Sequence, residues 1–425
     1  MNQTARRVAI IGGMRIPFCR AHTAYAEQSN QDMMTAALTG LVNKYSLQNK
    51  VLGDVSLGAV MMHSGDWNLA RESALGSGLS PETPAFDIRR ACATSLEAAI
   101  AIGNKIALGQ IDAGIAGGTD TISDIPIVYP PAYQKTLLRS ARGRTLGQKL
   151  KPWLKLRPSF FKPTFPGVTE PRTGLSMGES TELTAKEWGI SREDQDELAY
   201  TSHHRAAKAY DEGFHQELLV PFQGVERDNN LRADTTVEKL ATLRTAFDKS
   251  EAGTMTAGNS TPLTDGAGAV LLASEEWAAA NNLPVQAYLT FGKVAAVDFV
   301  NRDGLLMAPA FSVSNMLKDA DKSFADFDFF EIHEAFAAQV LATLKAWESP
   351  EFCKERLSRD TPLGVIPRDK LNIKGGSLAL GHPFGATGSR ILGGLAKIID
   401  DAGGGRGLIS VCTGGGMGVT AILEK

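Results

Sequence analysis

Ile88–Gly109 reads IRRACATSLEAAIAIGNKIALG: a short extended run, one cysteine, then a long stretch of small and apolar residues. Upstream, Pro84–Arg90 (PAFDIRR) alternates as a strand does. Downstream, Ala93–Leu108 carries Ala, Leu and Ile around most of its circumference, which predicts a helix buried on nearly all sides. Cys92 falls at the junction, at the N-terminus of that helix. Unpaired N–H groups and the positive end of the helix dipole favour a thiolate there, so the placement predicts a lowered cysteine pKa. A lone free cysteine is otherwise most often a buried structural residue. Nucleophile and core thiol are separated only by what the rest of the chain contributes.

Working towards the N-terminus, Arg7–Gly13 reads as a buried strand closing in a glycine turn. Asp32–Tyr45 reads as a helix with an apolar stripe (Met33, Ala36, Ala37, Leu41, Val42) and with Ser29, Asn30 and Asp32 as cap candidates. Asp54–Met62 is strand-like, Leu69–Leu75 a short helix, and Ile111–Gly117 a short apolar strand closing in GGTD. Strands alternating with helices predict an α/β fold on a parallel sheet covered on both faces.

The character changes from Ser123 to Ser250. Eight prolines from Pro126 to Pro171 exclude a regular sheet and mark an inserted region. Arg139–Arg172 holds nine Lys or Arg residues against one acid, Glu170, interleaved with Trp153, Phe160, Phe161 and Phe165. Such a mixture suits an anionic lipid, a phosphorylated ligand or an acidic partner, and equally a solvated basic loop with aromatic anchors. Two helices follow, Gly178–Trp188 and Ser191–Glu212, the second with Ser191 and Asp194 as a capping box and Gly213 as its stop.

The sheet pattern returns at Thr254, and TMTAGNSTPLTDGAGAVLLA (254–273) joins a polar glycine-rich turn to a buried strand. Further on, Pro309–Ala320 reads as a helix, Phe327–Ile332 as a strand, and Glu334–Trp347 as a helix with His333 at its junction. GGSLALGHPFGATGSR (375–390) leads into a helix over Ile391–Asp401, and the strand Leu408–Cys412 meets the turn TGGGMG. Each half has a reactive-type residue, Cys92 or His382, ahead of a helix rich in small residues, and each closes on a strand and a glycine cluster. Duplicated α/β halves are inferred.

Composition excludes several classes. The chain has 425 residues, 43% hydrophobic and 21% charged, with a formal net charge of −3, which gives no overall basic bias towards nucleic acid. Length alone suggests two or three domains. Cys19, Cys92, Cys353 and Cys412 lie far apart with no CxxC pair, so neither a zinc site nor a disulfide framework is expected and a reducing compartment fits. No apolar run spans a membrane, and the first strand at Val8 leaves no room for a leader; a cytoplasmic protein is expected, though a processed organellar one would look the same. IGGMR and AGGTD lack the GxGxxG spacing, so no dinucleotide cofactor is expected, nor any metal.

RACATS around Cys92, GNSTPLTDGA (258–267), HEAFAAQ (333–339), GHPFGATGSR (381–390) and CTGGGMG (412–418) resemble, in order and spacing, the five motif regions of the thiolase family. The resemblance covers almost the whole chain. It implies a five-layered αβαβα core of two duplicated halves, with boundaries at 1–122 and 251–275 for the N-terminal half, 123–250 for a loop domain over the active site, and 276–425 for the C-terminal half. HEAF, where many thiolases have NEAF, and the ACATS form resemble the degradative branch, the 3-ketoacyl-CoA thiolase subunit of the fatty-acid oxidation complex.

Cleaving a 3-ketoacyl-CoA needs a soft nucleophile, a base to generate it and an acid for the departing enolate. The resemblance assigns these to Cys92, His382 and Cys412. It implies two oxyanion holes: His382 with His333 for the thioester oxygen, and the backbone N–H groups of Cys92 and Gly414 for the acyl oxygen. Outside motif context, either histidine could be a hydrogen-bonded core residue. Cys19 and Cys353 match no motif and are read as structural. CoA enters as substrate, with Ser176, Met177 and Thr261 at positions resembling pantetheine contacts and Phe336 walling the reaction centre; Ser176 stands where several relatives carry histidine. Implied partners are a second copy, forming a homodimer, and an enoyl-CoA hydratase/3-hydroxyacyl-CoA dehydrogenase subunit, with membrane contact through 139–172. An acetoacetyl-CoA-forming thiolase and a non-catalytic thiolase-fold lipid carrier are the competing readings. The carrier should have lost one of Cys92, His382 or Cys412.

Overall fold

The computed structural model describes residues 5–425. The first half runs β1 (Val8–Arg15), β2 (Cys19–Arg20), α1 (Asn30–Lys44), β3 (Asp54–Leu57), α2 (Leu69–Gly76), β4 (Ala85–Asp87), α3 (Thr94–Ala107) and β5 (Ala113–Asp120). Of the cap candidates at α1, Ser29 is the cap and forms a full capping box with Asp32, whereas the box expected at Ser191 is only half built: Ser191 accepts from the Asp194 N–H at 3.0 Å and no return bond is made. Helices α4 (Pro131–Ala141), α5 (Leu146–Leu150), α6 (Met177–Glu187), α7 (Arg192–Asp211) and α8 (Val237–Ala241) then precede β6 (Thr264–Ser274) and α9 (Glu275–Ala280). The second half runs β7 (Ala287–Ala296), α10 (Ala308–Asp319), β8 (Phe329–Ile332), α11 (Ala337–Glu348), α12 (Pro350–Glu355), α13 (Ser377–Leu380), α14 (Thr387–Asp401), β9 (Arg406–Thr413) and β10 (Met417–Glu424).

The strands order as β4-β3-β5-β6-β1-β7-β10-β9-β8. At the centre β1 and β7 touch through only Ala9↔Tyr288 and Ile10↔Ala287, so this is a seam between two sheets. With the two-residue β2 set aside, which pairs with β6 off this order, each half places outward from the seam its first strand, then its last, then the one before that, then its second. Beyond β8, the single parallel bridge Phe330↔Leu371 stands where β4 stands in the other half. The duplication is therefore a property of the topology.

The sheet is mixed, which corrects the expectation of a parallel one. β3 is parallel to β4 and β5, and β8 to β9, whereas β6 and β10 are antiparallel to their neighbours. Two devices reverse the chain. The long insertion brings it back into β6 from the opposite end. At the other place, Gly415 (φ +78) and Gly416 (φ +68) supply the left-handed turn that folds β9 onto β10.

One apolar core holds α3 and α14 between the two sheets, through Leu96, Ile102, Leu392 and Leu395 against Val270 and Val411. A second packs α1 and α2 on the outer face of the first sheet, and a third packs α10 and α11 on the outer face of the second. These are the five layers αβαβα. A side chain at Gly388 would collide with the backbone of Leu96, so glycine is what lets α14 reach α3. Among the described residues, no strand longer than an isolated bridge lies between β5 and β6. That insertion is pinned to both halves. Asp228 takes a buried bidentate ion pair from Arg15 of the first half at 2.6 and 2.7 Å and a 2.7 Å bond from Tyr210, while Ser202 donates to Glu334 of the second half at 2.7 Å.

Candidate active site

Cys92 sits between β4 and α3 in a tight turn. Ala91 just before it has φ +41, a left-handed conformation that strains a residue with a side chain. Thr94 holds the turn, donating to the Ala91 carbonyl at 2.7 Å and accepting from the Arg90 N–H at 2.9 Å. The cap residue Ala93 offers no side-chain bond, which leaves the helix N–H groups free for other acceptors. The predicted lowering of the Cys92 pKa is nevertheless overturned. Burial pushes the thiol up to about 12, with the Asp120 carboxylate adding to it and the N–H groups of Gly414 and of Cys92 itself opposing. Desolvation of a thiolate outweighs the helix terminus. Cys92 therefore rests as a thiol and needs a base.

His382 follows the glycine turn after α13, its backbone N–H bonded to Thr264 at 3.1 Å. Its Nδ1 lies 2.6 Å from Thr387 Oγ1, and that hydroxyl donates to the Pro383 carbonyl at 2.9 Å. With the Thr387 proton so committed, Nδ1 must be the donor, and the neutral ring keeps its lone pair on Nε2. Burial, and then the positive charge of Arg390, lowers His382 to about 3. The ring is thus a neutral base.

His333 lies at the end of β8, fully buried, with its ring centroid 4.2 Å from that of His382. Its backbone N–H bonds to Ser410, and its Nδ1 lies 2.9 Å from Ser377 Oγ. Its Nε2 is buried with no partner among the described residues. Burial, His382 and Arg390 hold it well below the ordinary histidine range. Cys412, at the end of β9, is buried, with Sγ 3.4 Å from Gln339 Oε1. Burial and the neighbouring Cys92 raise its thiol well above the usual value. The two rings thus lie side by side and the two thiols near each other, all four groups neutral, with acid and base strength set by burial and by partners.

Family models for the N-terminal and the C-terminal domain of thiolases match residues 8–276 and 284–425. The chain belongs to the thiolase family. The 3-ketoacyl-CoA thiolases of Yersinia pestis and Yersinia pseudotuberculosis are each 40% identical to it over 424 residues, covering 98% of this chain and 97% of theirs. A crystal structure of the Bacillus anthracis acetyl-CoA acetyltransferase superposes with a TM-score of 0.82 at 29% identity, covering 99% of both chains. The thiolase fold implied by the five motifs is the fold observed.

Gly414, whose N–H reaches the Cys92 sulfur, lies beside Met177. A side chain at Gly414 would come to 3.2 Å from the Glu170 carboxylate and 3.5 Å from the Met177 sulfur. Glu170 also accepts from the Gly415 N–H, tying the inserted domain onto the glycine turn. Phe336 caps α11, nearly buried and edge-on to Phe247 at 5.8 Å. Thr261 spends its hydroxyl on the Ala335 carbonyl at 2.9 Å. Ser176 is the cap of α6, its hydroxyl exchanging bonds with Glu179 at 2.8 and 3.2 Å, so a structural duty accounts for it without any ligand.

Several partners escaped the sequence. Thr387 and Gln339 lie inside quoted motifs, yet only the fold shows what they touch. Asp120 accepts from Val60, Met61 and Gly385, and so ties the end of β5 to the His382 loop; burial raises it to about 6. Cys353 is buried and donates to backbone carbonyls of α11, while Cys19 is buried in the first half. A cavity of about 520 Å³ lies between α7 and α11 beyond Glu334 and touches none of Cys92, His333, His382 and Cys412.

Proposed function

We propose that this thiolase is a 3-ketoacyl-CoA thiolase (acetyl-CoA C-acyltransferase) of fatty-acid degradation. What carries the reading is the 40% identity to 3-ketoacyl-CoA thiolases over 98% of the chain; the proximity of Cys92 to Cys412 and the lone pair left on His382 Nε2 support it. His382 Nε2 takes the Cys92 proton as the sulfur adds to the C3 keto carbon. The resulting oxyanion is met by the N–H groups of Cys92 and Gly414. The C2–C3 bond then breaks, its electron pair leaves as the acetyl-CoA enolate, and Cys412 protonates C2. His382 and His333 face the thioester oxygen, where charge develops. Free CoA enters, gives its thiol proton to Cys412 and attacks the acyl carbonyl. Cys92 leaves and recovers its proton from His382. CoA is a substrate, and the sequence of steps calls for no resident cofactor.

Substrate length tests this. CoA-dependent cleavage is measured from acetoacetyl-CoA to 3-ketopalmitoyl-CoA, and the specificity constant is expected to stay high on the long substrates. Activity confined to acetoacetyl-CoA would favour the biosynthetic reading, and none at any length the lipid carrier.

The same proposal places the protein in the cytoplasm as a homodimer, with the inserted domain at 123–250 as cover and a hydratase/dehydrogenase subunit supplying the 3-ketoacyl-CoA. Among the described residues no helix is long and apolar enough to cross a membrane. The tongue after α4 exposes Leu146, Leu150, Leu154 (86%) and Phe161 amid Lys149, Lys151 and Lys155. Apolar wedges among cations fit an anionic membrane surface. At about 1 kcal/mol per lysine, charge reversal of the three should weaken binding to anionic vesicles by about 100-fold or more. Unchanged cosedimentation would remove the membrane from the reading. Loss of the hydratase/dehydrogenase subunit in a pull-down instead would make that subunit the occupant.

A further inference from the structure

His333 has a hydrogen-bond arrangement unlike that of His382, and the difference assigns a role to two residues outside the quartet. Ser377 Oγ lies 2.9 Å from His333 Nδ1 and 3.1 Å from Arg390 Nη2. A guanidinium only donates, so Arg390 gives its proton to the serine oxygen. Ser377 is fully buried and those are its only side-chain bonds among the described residues. Its single hydroxyl proton has one acceptor in reach, His333 Nδ1. Pointing it elsewhere would leave a buried donor unpaired, at a cost of about 1–3 kcal/mol.

We propose that Ser377, backed by Arg390, is a positioning residue that fixes His333 in the tautomer carrying its proton on Nε2, and so makes His333 an oxyanion donor and not a base. The unpaired Nε2 beside His382 is then a buried N–H waiting for an acceptor, which the thioester oxygen of the substrate supplies. The two neighbouring imidazoles carry opposite protonation, each set by one hydroxyl. Thr387 accepts from His382 and leaves a lone pair on Nε2, whereas Ser377 donates to His333 and leaves a proton there. The Arg390–Ser377–His333 chain also delivers the polarising field of a cation to the oxyanion without placing a charged ring in the site.

The strut behind Ser377 is rigid. A side chain at Gly376 would collide with the Glu334 carboxylate. That carboxylate is itself held by Ser202 at 2.7 Å, Asn372 at 2.6 Å and the Leu378 N–H at 3.2 Å. Ser377 therefore presents its oxygen to His333 from a fixed position at the start of α13.

This inference rests on the thioester oxygen lying where the thiolase reading puts it. Its test is separable, because failure of that reading would appear as wild-type protein that cleaves no 3-ketoacyl-CoA. Nitrogen-15 spectra of the histidines should show His333 protonated on Nε2 in the wild type and shifted towards Nδ1 in Ser377→Ala. Ser377→Ala should lower kcat for cleavage by about 10- to 100-fold while KM stays within about threefold, the signature of a donor used in the transition state. In a His333→Asn background the amide donor has no tautomer to lose, so Ser377→Ala should then cost less than about threefold. A wild-type His333 protonated on Nδ1 would overturn the proposal. So would an undiminished Ser377→Ala effect in the His333→Asn background, which would reduce Ser377 to a packing role.

Discussion

Cys412→Ala is expected to lower kcat for 3-ketoacyl-CoA cleavage by about 10³-fold or more while leaving the acylation of Cys92 by a simple acyl-CoA largely intact. The two reactions differ in what they ask of Cys412. Breaking C2–C3 releases a carbon base, the enolate of a thioester, which reverts to substrate unless a proton reaches C2 at once. Forming an acyl-enzyme from acetyl-CoA releases a thiolate, a far weaker base that departs without help. The high pKa of Cys412, set by burial and by Cys92 alongside, suits the first task. A thiol that ionised readily would have given up its proton before the enolate formed. The Gln339 carbonyl oxygen 3.4 Å from the sulfur holds the thiol proton in place until then. Intact-mass detection of acetylated Cys92 in Cys412→Ala, beside a cleavage rate near background, would separate the roles. Cleavage within tenfold of wild type would take Cys412 out of the proton inventory.

How far the sequence spoke for the molecule varies from element to element, and the variation has physical causes. The turn at Cys92 was legible because an extended run, a cysteine and a helix of small residues can be threaded in few ways. The buried character of α3 followed from apolar residues on all sides. β10 was not legible. MGVTAILE lies behind a glycine cluster that reads as a stop, and only the two left-handed glycines before it reveal that the stop is a hairpin. The direction of the strands failed for the same reason, since alternating helices and strands look alike whether the last strand returns parallel or by a hairpin. The helix expected from Glu334 begins three residues later, at Ala337. Glu334 is polar and falls on a helical pattern, but it is buried and spent on Ser202, Asn372 and Leu378, so helix α11 begins only at Ala337.

At the site, identities were readable and environments were not. Cysteine and histidine in glycine-rich motifs pointed to the thiolase family, and the family models match over both halves. The sign of the Cys92 shift, however, depends on how much water the fold removes, and no local pattern encodes that. Ser377 and Thr387 are ordinary helix-start residues in the sequence. Ser377 meets His333 across 44 residues of chain, a contact that only the fold sets, whereas Thr387 closes a local turn on the histidine five residues before it. The substrate side was the least readable. Ser176 has the spacing of a ligand contact and also that of a helix cap, and the structure shows the cap.

His382→Ala is expected to abolish both half-reactions, with kcat down by about 10⁴-fold or more, because one ring serves as base to Cys92 and as donor to the thioester oxygen. His333 cannot replace it as base, since its Nε2 carries a proton and its Nδ1 is occupied by Ser377. The pH dependence gives the sharper result. His382 is lowered to about 3, so its neutral, basic form persists far below the range of an ordinary histidine. The wild-type kcat/KM should stay level from about pH 8 to about pH 5.5, where an unperturbed imidazole would already be mostly charged. Without His382, the Cys92 thiolate must come from hydroxide in solution. Because burial pushes that thiol up to about 12, the residual rate of His382→Ala should climb about tenfold per pH unit across the same window. An acid limb near pH 6.5 in the wild type would mean that His382 titrates as an ordinary imidazole, and a flat profile in the variant would mean that Cys92 is ionised at rest. The helix terminus would then have won over burial after all. The two profiles together therefore decide which force prepares the nucleophile: a lowered thiol pKa built into the turn, or a neutral histidine whose lone pair Thr387 keeps aimed at it.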